Sequence, residues 1–224
     1  MTVFPTSPLI DRLLDLALEE DLGTGDVTTQ ALIPPELQGE AHIRAQQDLV
    51  VAGLPLAARV FYQVDASLVF EPQVEEGREV TAGTVLARLT GPVAAILTGE
   101  RPALNFLQRL SGVATFTRQM VSLIAGANAA LVDTRKTTPG WRALEKYAVR
   151  LGGARNHRAG LYDGVLIKNN HLTAAGSITQ AVKQAREQAH HLLKIEVEVS
   201  DLAGLKEALA AGADAILLDN MDEA

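Results

Sequence analysis

The chain contains no cysteine, which excludes disulfides, cysteine-held metals and thiol catalysis at once. It also has no lysine before residue 136. That absence decides one question, because Glu75 to Gly91 has the hairpin rhythm of biotinyl and lipoyl carrier domains. Such a carrier needs a lysine to modify, so the carrier reading fails. No apolar stretch approaches the roughly 18 residues needed to span a membrane. The opening residues, MTVFPTSPLIDR, lack the basic region and long apolar run of a signal peptide. The net charge of −7 speaks against a general nucleic-acid binder. These absences describe a cytoplasmic protein with neither a membrane nor a nucleic acid as partner.

What is present is an ordinary globular balance: 224 residues, 47% hydrophobic and 21% charged, enough for one large domain or two small ones. The charge is uneven. Residues 131–170 hold eight Lys or Arg against three acids, a local +5 that leaves −12 for the rest of the chain. A basic island in an acidic protein focuses a field suited to an anionic small molecule.

The punctuation of the chain divides it into two rhythms. Ser7-Pro8 opens a first helix whose apolar residues are Leu9, Ile10, Leu13, Leu14 and Ala17. Residues 38–90 read as short strands separated by turns at glycine. Thr98 is expected to cap a long helix over about 99–125, with the domain boundary near its middle, giving domains 1–111 and 112–224. The second half then alternates apolar strands with helices: strands are expected at 130–134, 164–168, 194–199 and 215–219, and a helix over 201–212. This pattern predicts a parallel sheet with covered faces. Its polar residues fall at the C-terminal ends of strands, where α/β folds place their active sites.

In DTRKTTPG (133–140), Arg135 and Lys136 leave a strand into a loop, offering a guanidinium fork beside a point charge for carboxylate or phosphate. Two basic loop residues are also common as solvated surface, and both readings stand. Along helix 141–151, Arg142, Lys146 and Arg150 share a face that reads as exposed, so they are set aside. In GGARNHR (152–158), the glycines either end that helix or let backbone approach a ligand, and His157 stands beside Arg158. Lys168 ends a strand that looks buried, where it must find an anion. In KIEVEVS, Glu196 and Glu198 point away from Ile195, Val197 and Val199, and need cations nearby. Lys168 can supply one, and Mg2+ arriving with a phosphorylated substrate another. Asp219 adds a carboxylate at the next strand end, although a purely structural ion network remains an alternative.

DTRKTTPG, GGARNHRAGLYD, LIKNNH, EVEV and LLDN occur in the order and spacing of the quinolinate phosphoribosyltransferase family, which the chain resembles over nearly its whole length. EDLGTGDVTT (20–29) and LTGERPALNFLQRLSGVAT (97–115) resemble that family's N-terminal signatures. The resemblance implies an α/β fold, an N-terminal open sandwich followed by an atypical α/β barrel, here incomplete at its C-terminal side. It implies transfer of the phosphoribosyl group of phosphoribosyl pyrophosphate (PRPP) to quinolinate with decarboxylation, supported by Mg2+ and no organic cofactor. It further implies a homodimer or higher homo-oligomer in which Arg101 reaches the partner's site. Thr134, Arg135, Lys136, His157, Arg158 and Lys168 match the lining for the substrate anions. Glu198 and Asp219 match the acids near the ribose and its Mg2+. Lys136, Lys168, Glu198 and Asp219 are the candidate catalytic groups. Family members run on for some tens of residues beyond LLDN, through further barrel strands and a Ser-Gly-Gly phosphate loop. Part of the PRPP site is therefore expected beyond this sequence. Two rival readings are a same-fold enzyme acting on another acid and a Schiff-base lyase using Lys168.

Overall fold

The computed structural model describes residues 2–222, and the chain separates into two compact units, Met1–His157 and Arg158–Ala224.

In the first unit, helix α1 (Pro8–Leu22) begins where Ser7 accepts a bond from the Ile10 N–H, and it buries Ile10 and Leu14. Helix α2 (Val27–Leu32) is capped by Asp26. Strands β1 (Gln38–Arg44) and β2 (Leu49–Val50) follow. The expected run of strands is then interrupted by helix α3 (Leu54–Val64). The reason lies in spacing, since Leu54, Ala57, Val60 and Phe61 are buried on one helical face. Gly53 turns the chain into that helix with φ of 110°, a value that favours glycine. Strands β3 (Val69–Pro72), β4 (Glu79–Val80) and β5 (Val85–Pro92) complete the set. An antiparallel sheet has the order β1-β5-β3, and β2 pairs with β4.

Helix α4 (Val93–Leu123) starts directly from β5, earlier than the cap expected at Thr98. Pro102 lies inside it and has no N–H to give to the Thr98 carbonyl, so the sequence looks like a boundary where the helix continues. The Thr98 hydroxyl reaches Asp26 instead (3.3 Å). Residues 130–134 form no strand; their β pairing is the isolated parallel bridge of Val132 to Arg155. Helix α5 (Arg142–Leu151) buries Leu144, Tyr147, Ala148 and Leu151 in the same core as α1, α3 and α4. This packing is why the first unit extends to residue 157.

In the second unit, strands β6 (Val165–Ile167), β7 (Ile195–Val199) and β8 (Ala215–Leu218) form a parallel sheet in that order. Helices α6 (Asn169–Ala175) and α7 (Ile178–Gln188) connect the first pair, and α8 (Leu202–Ala210) connects the second. Ser177 and Asp201 cap α7 and α8, as their side chains predict. Ile195, Val197 and Val199 are buried while Glu196 and Glu198 are half-buried, the alternation expected of this strand. Among the described residues the sheet is open, a mixed α/β architecture without a closed barrel. Also among them, no helix is long and apolar enough to cross a membrane.

Candidate active site

In the first unit the candidate residues lie on two loops that α5 holds. Asp133 accepts from Asn156 Nδ2 (2.7 Å), from the His157 N–H (2.8 Å) and from Lys146 Nζ. Lys146 also donates to the His157 carbonyl (3.0 Å). The expected exposed face of α5 is therefore corrected: Lys146 is 5% exposed, and only Arg150 of the three cations is fully outside. Arg142 likewise turns inward, giving Nε to Thr137 Oγ1 (3.0 Å) and a guanidinium N–H to the Arg135 carbonyl (3.5 Å). Glu145 receives Arg109 (2.9 Å) and the Thr138 N–H (3.3 Å). Burial works against ionisation of Glu145, but the Arg109 and Thr138 donors outweigh it and hold its carboxyl below the usual range.

With the loop backbone so fastened, its basic side chains are left over. Thr134 Oγ1 accepts from the Lys136 N–H (3.0 Å), shaping the turn from which Lys136 stands exposed. Arg135 is half-buried, and its Nε is buried with no hydrogen-bond partner. Buried donors are nearly always satisfied, and this one shares its exceptional status with Arg118 Nε. The glycines of GGARNHR serve different ends: a Cβ on Gly152 would sit 2.5 Å from Thr117 Cβ and 2.6 Å from the Ala114 carbonyl oxygen, whereas Gly153 has room for a Cβ but a φ of 99°. Arg101 is exposed on α4.

In the second unit, Lys168 follows the end of β6 and leads into α6. It is more open than the sequence implies, with its side chain 48% exposed, because the strand stops at Ile167. The expected anion is nevertheless there, as Nζ donates to Glu198 Oε2 at 2.8 Å. The Lys168 N–H donates to His171 Nδ1 (2.9 Å), fixing the entry to α6. Arg158 gives a guanidinium N–H to the Gly164 carbonyl (3.0 Å). The Asp219 N–H bonds the Val199 carbonyl (2.8 Å), and its carboxylate accepts from Asn220 Nδ2 (3.1 Å). Asn220 itself sits at φ 50°, a left-handed position that asparagine tolerates. Among the described residues, no group of three or more histidines and acids converges as a metal cage. Glu198 and Asp219 thus fit Mg2+ only in the mode where substrate oxygens and water supply most ligands.

Sequence reasoning missed Asp133, Lys146, Asn156 and Arg142. The available signal was that Lys146 interrupts the apolar series Leu144, Tyr147, Ala148, Leu151.

Comparison with known proteins identifies the family. The family model described as quinolinate phosphoribosyl transferase, C-terminal domain, matches residues 113–224, and its N-terminal counterpart matches residues 26–111. The chain belongs to the quinolinate phosphoribosyltransferase family. A Synechocystis protein named "Probable nicotinate-nucleotide pyrophosphorylase (carboxylating)" is 51% identical over 221 residues, covering 99% of this chain and 75% of that protein. Its Bacillus subtilis namesake is 47% identical over 211 residues, covering 94% and 73%. The solved structure of NadC from Streptococcus pyogenes superposes with a TM-score of 0.93 at 42% identity, over 98% of this chain and 78% of that one. The nicotinate-nucleotide pyrophosphorylase from Francisella tularensis gives 0.94 at 38% identity, over 99% and 79%. The chain spans about three quarters of the length of these relatives.

Proposed function

We propose that this member of the quinolinate phosphoribosyltransferase family transfers the phosphoribosyl group of PRPP to quinolinate, releasing pyrophosphate and CO2 and forming nicotinate mononucleotide. The observation that carries this reading is Arg135, whose buried Nε has no partner beside the exposed Lys136. A planar fork next to a point charge suits a dianion better than a monoanion, which favours quinolinate over a single-carboxylate acid. Thr134, His157, Arg158 and Lys168 follow the same family pattern for substrate anions. Lys168 is committed to Glu198 at 2.8 Å, an ammonium–carboxylate pair and not a free amine nucleophile. Family membership and this pair leave the lyase alternative without support.

The pyridine nitrogen attacks the anomeric carbon of PRPP while that carbon's bond to the pyrophosphate oxygen breaks, through a state with positive charge on the ribose. Glu198 and Asp219 are assigned to that charge, which carboxylates stabilise. Arg135 and His157 are assigned to orienting the acceptor, since aligning two anions removes much of the barrier. Once the ring nitrogen is bonded to ribose it is cationic, and the adjacent carboxylate leaves as CO2, its bonding electrons staying on the ring carbon, which then takes up a proton from water. Lys136, beside Arg135, is assigned to the second carboxylate of the acid. Mg2+, when bound, supplies charge neutralisation on the phosphates.

We further assign a homo-oligomer, with Arg101 serving the partner's site. Supporting this, Arg101 shares one face of α4 with Leu97, Phe116 and Leu123, which are 43%, 63% and 76% exposed. The assigned compartment is the cytoplasm. Calorimetric titration of quinolinate and then nicotinate into the chain tests the substrate assignment. Tighter binding of quinolinate, followed by PRPP-dependent CO2 release, is expected; a folded chain that binds neither acid overturns it.

A further inference from the structure

Lys146 and Asp133 form an ion pair whose side chains are only 7% and 9% exposed. A pair this buried is poorly explained by stability, because apolar side chains of similar volume commonly do as well. Its geometry offers a better reason. Asp133 stands directly before Thr134, Arg135 and Lys136, while Asn156 and His157 lie on the other loop. The pair, joined by its own bond, reaches the second loop at three points. Asp133 takes Asn156 Nδ2 at 2.7 Å and the His157 N–H at 2.8 Å, and it takes Lys146 Nζ. Lys146 returns to the His157 carbonyl at 3.0 Å. The main chain of His157 is thus held at both its N–H and its C=O by the two members of one buried pair. Asn156 adds a second fastening to α5 through the Lys146 carbonyl (2.9 Å).

We propose that Lys146, acting through Asp133, is a positioning residue that sets the spacing between the Arg135–Lys136 loop and His157. It touches no substrate; it determines where the groups that bind the acid stand. This inference rests on the phosphoribosyl-transfer reading above. A neutral side chain at position 146 leaves Asp133 with weaker, less directional partners, and displacement of a binding group by about 1 Å costs on the order of a hundredfold.

The test compares the wild-type chain with Lys146→Met and Asn156→Ala. Quinolinate dissociation constants are measured by calorimetry, thermal melts report folding, and amide hydrogen exchange is followed at His157. Lys146→Met is expected to stay folded, weaken quinolinate binding by about tenfold or more, and speed exchange at His157. Asn156→Ala, which loses one exposed and one part-buried hydrogen bond, is expected to weaken binding by about threefold in the same direction. A folded Lys146→Met chain that melts lower but binds quinolinate within about twofold of wild type makes the pair merely structural and overturns the proposal. Should Lys146→Met fail to fold, Asn156→Ala decides: unchanged affinity with unchanged His157 exchange also overturns it. Failure of the wild type to bind quinolinate overturns the substrate reading instead, which keeps the two failures distinct.

Discussion

The hydroxyl of Tyr147 donates to Glu76 over 2.6 Å, joining α5 to a turn 71 residues earlier in the chain. The same carboxylate accepts from the N–H groups of Gly53 and Leu54, both at 2.8 Å, and so caps α3 from outside the helix. Tyr147→Phe removes one charge-assisted bond and is expected to cost about 1.5–3 kcal/mol in urea denaturation. The pH dependence has a defined sign. Burial, then the bond to Glu76 and its charge, push the Tyr147 phenol well above its ordinary value of 10.0. Its contribution is therefore complete below about pH 10 and is lost as pH rises toward the folded-state value. Phenylalanine at 147 should flatten the fall in stability above about pH 10; identical slopes for the two chains would refute this.

Asp214 supports the second unit from the acid side. Its carboxyl is held below the ordinary 3.8 by the Ile195 N–H first; burial opposes this, and Arg186 and then Lys194 add smaller favourable effects. A lowered carboxylate stabilises the fold above its unfolded value, and the contribution disappears as pH drops through the folded one. Asp214→Asn should lower the denaturation midpoint near about pH 7 and converge with wild type only as pH drops below the folded-state value. A constant gap between the two curves at all pH values would show that charge is not the cause.

Two glycines near α4 and α5 should fail for different reasons. Gly152 has an ordinary helical φ of −68°, yet its Cβ would strike Thr117 Cβ and the Ala114 carbonyl at 2.5 and 2.6 Å. Backbone cannot step aside, so Gly152→Ala is expected to cost about 1–3 kcal/mol through overpacking. Gly126 has φ of 87° with nothing within 4 Å of a built Cβ. Gly126→Ala should cost about 1–2 kcal/mol through its left-handed backbone alone. Gly126→Asn, which tolerates that region, should recover part of the loss, whereas Gly152→Asn should not. Recovery at both positions in thermal melts would contradict the packing account.

The legible parts of this fold are those set by a short local period. Ile195, Val197 and Val199 alternate with Glu196 and Glu198, and the strand buries them in that order. Asp201 and Ser177 mark their helix starts because each cap bonds an amide three residues on. Failure came where local cues compete with packing. Gly99 and Pro102 resemble a helix start, but α4 runs through both, with Gly99 in close contact with Phe61. Within the site, Arg135, Lys136 and the Lys168–Glu198 pair were readable from charge at strand ends. Lys146 was not, because its partner Asp133 lies 13 residues away, and helical spacing reports a face without saying what covers it.

Arg135 and Asp219 should separate binding from turnover. Arg135 is half-buried with an unsatisfied Nε, so it has hydrogen-bonding capacity that the chain does not use. Arg135→Ala removes a charge-assisted contact to the acid, and the KM for quinolinate is expected to rise by about tenfold to a hundredfold. Asp219 sits just past β8, its N–H fixed by the Val199 carbonyl at 2.8 Å, and it is assigned to charge that appears only as the ribose bond breaks. Asp219→Ala should therefore lower kcat by about a hundredfold while leaving the KM for quinolinate nearly unchanged. Steady-state assays of PRPP-dependent CO2 release give both numbers on the same preparations, and Arg135→Lys adds a control. A lysine restores the charge without the fork, so partial recovery of KM would locate the effect in carboxylate recognition. If Arg135→Ala and Asp219→Ala both behaved like wild type, neither residue would belong to the site, and the assignment of the substrates to these loops would fall.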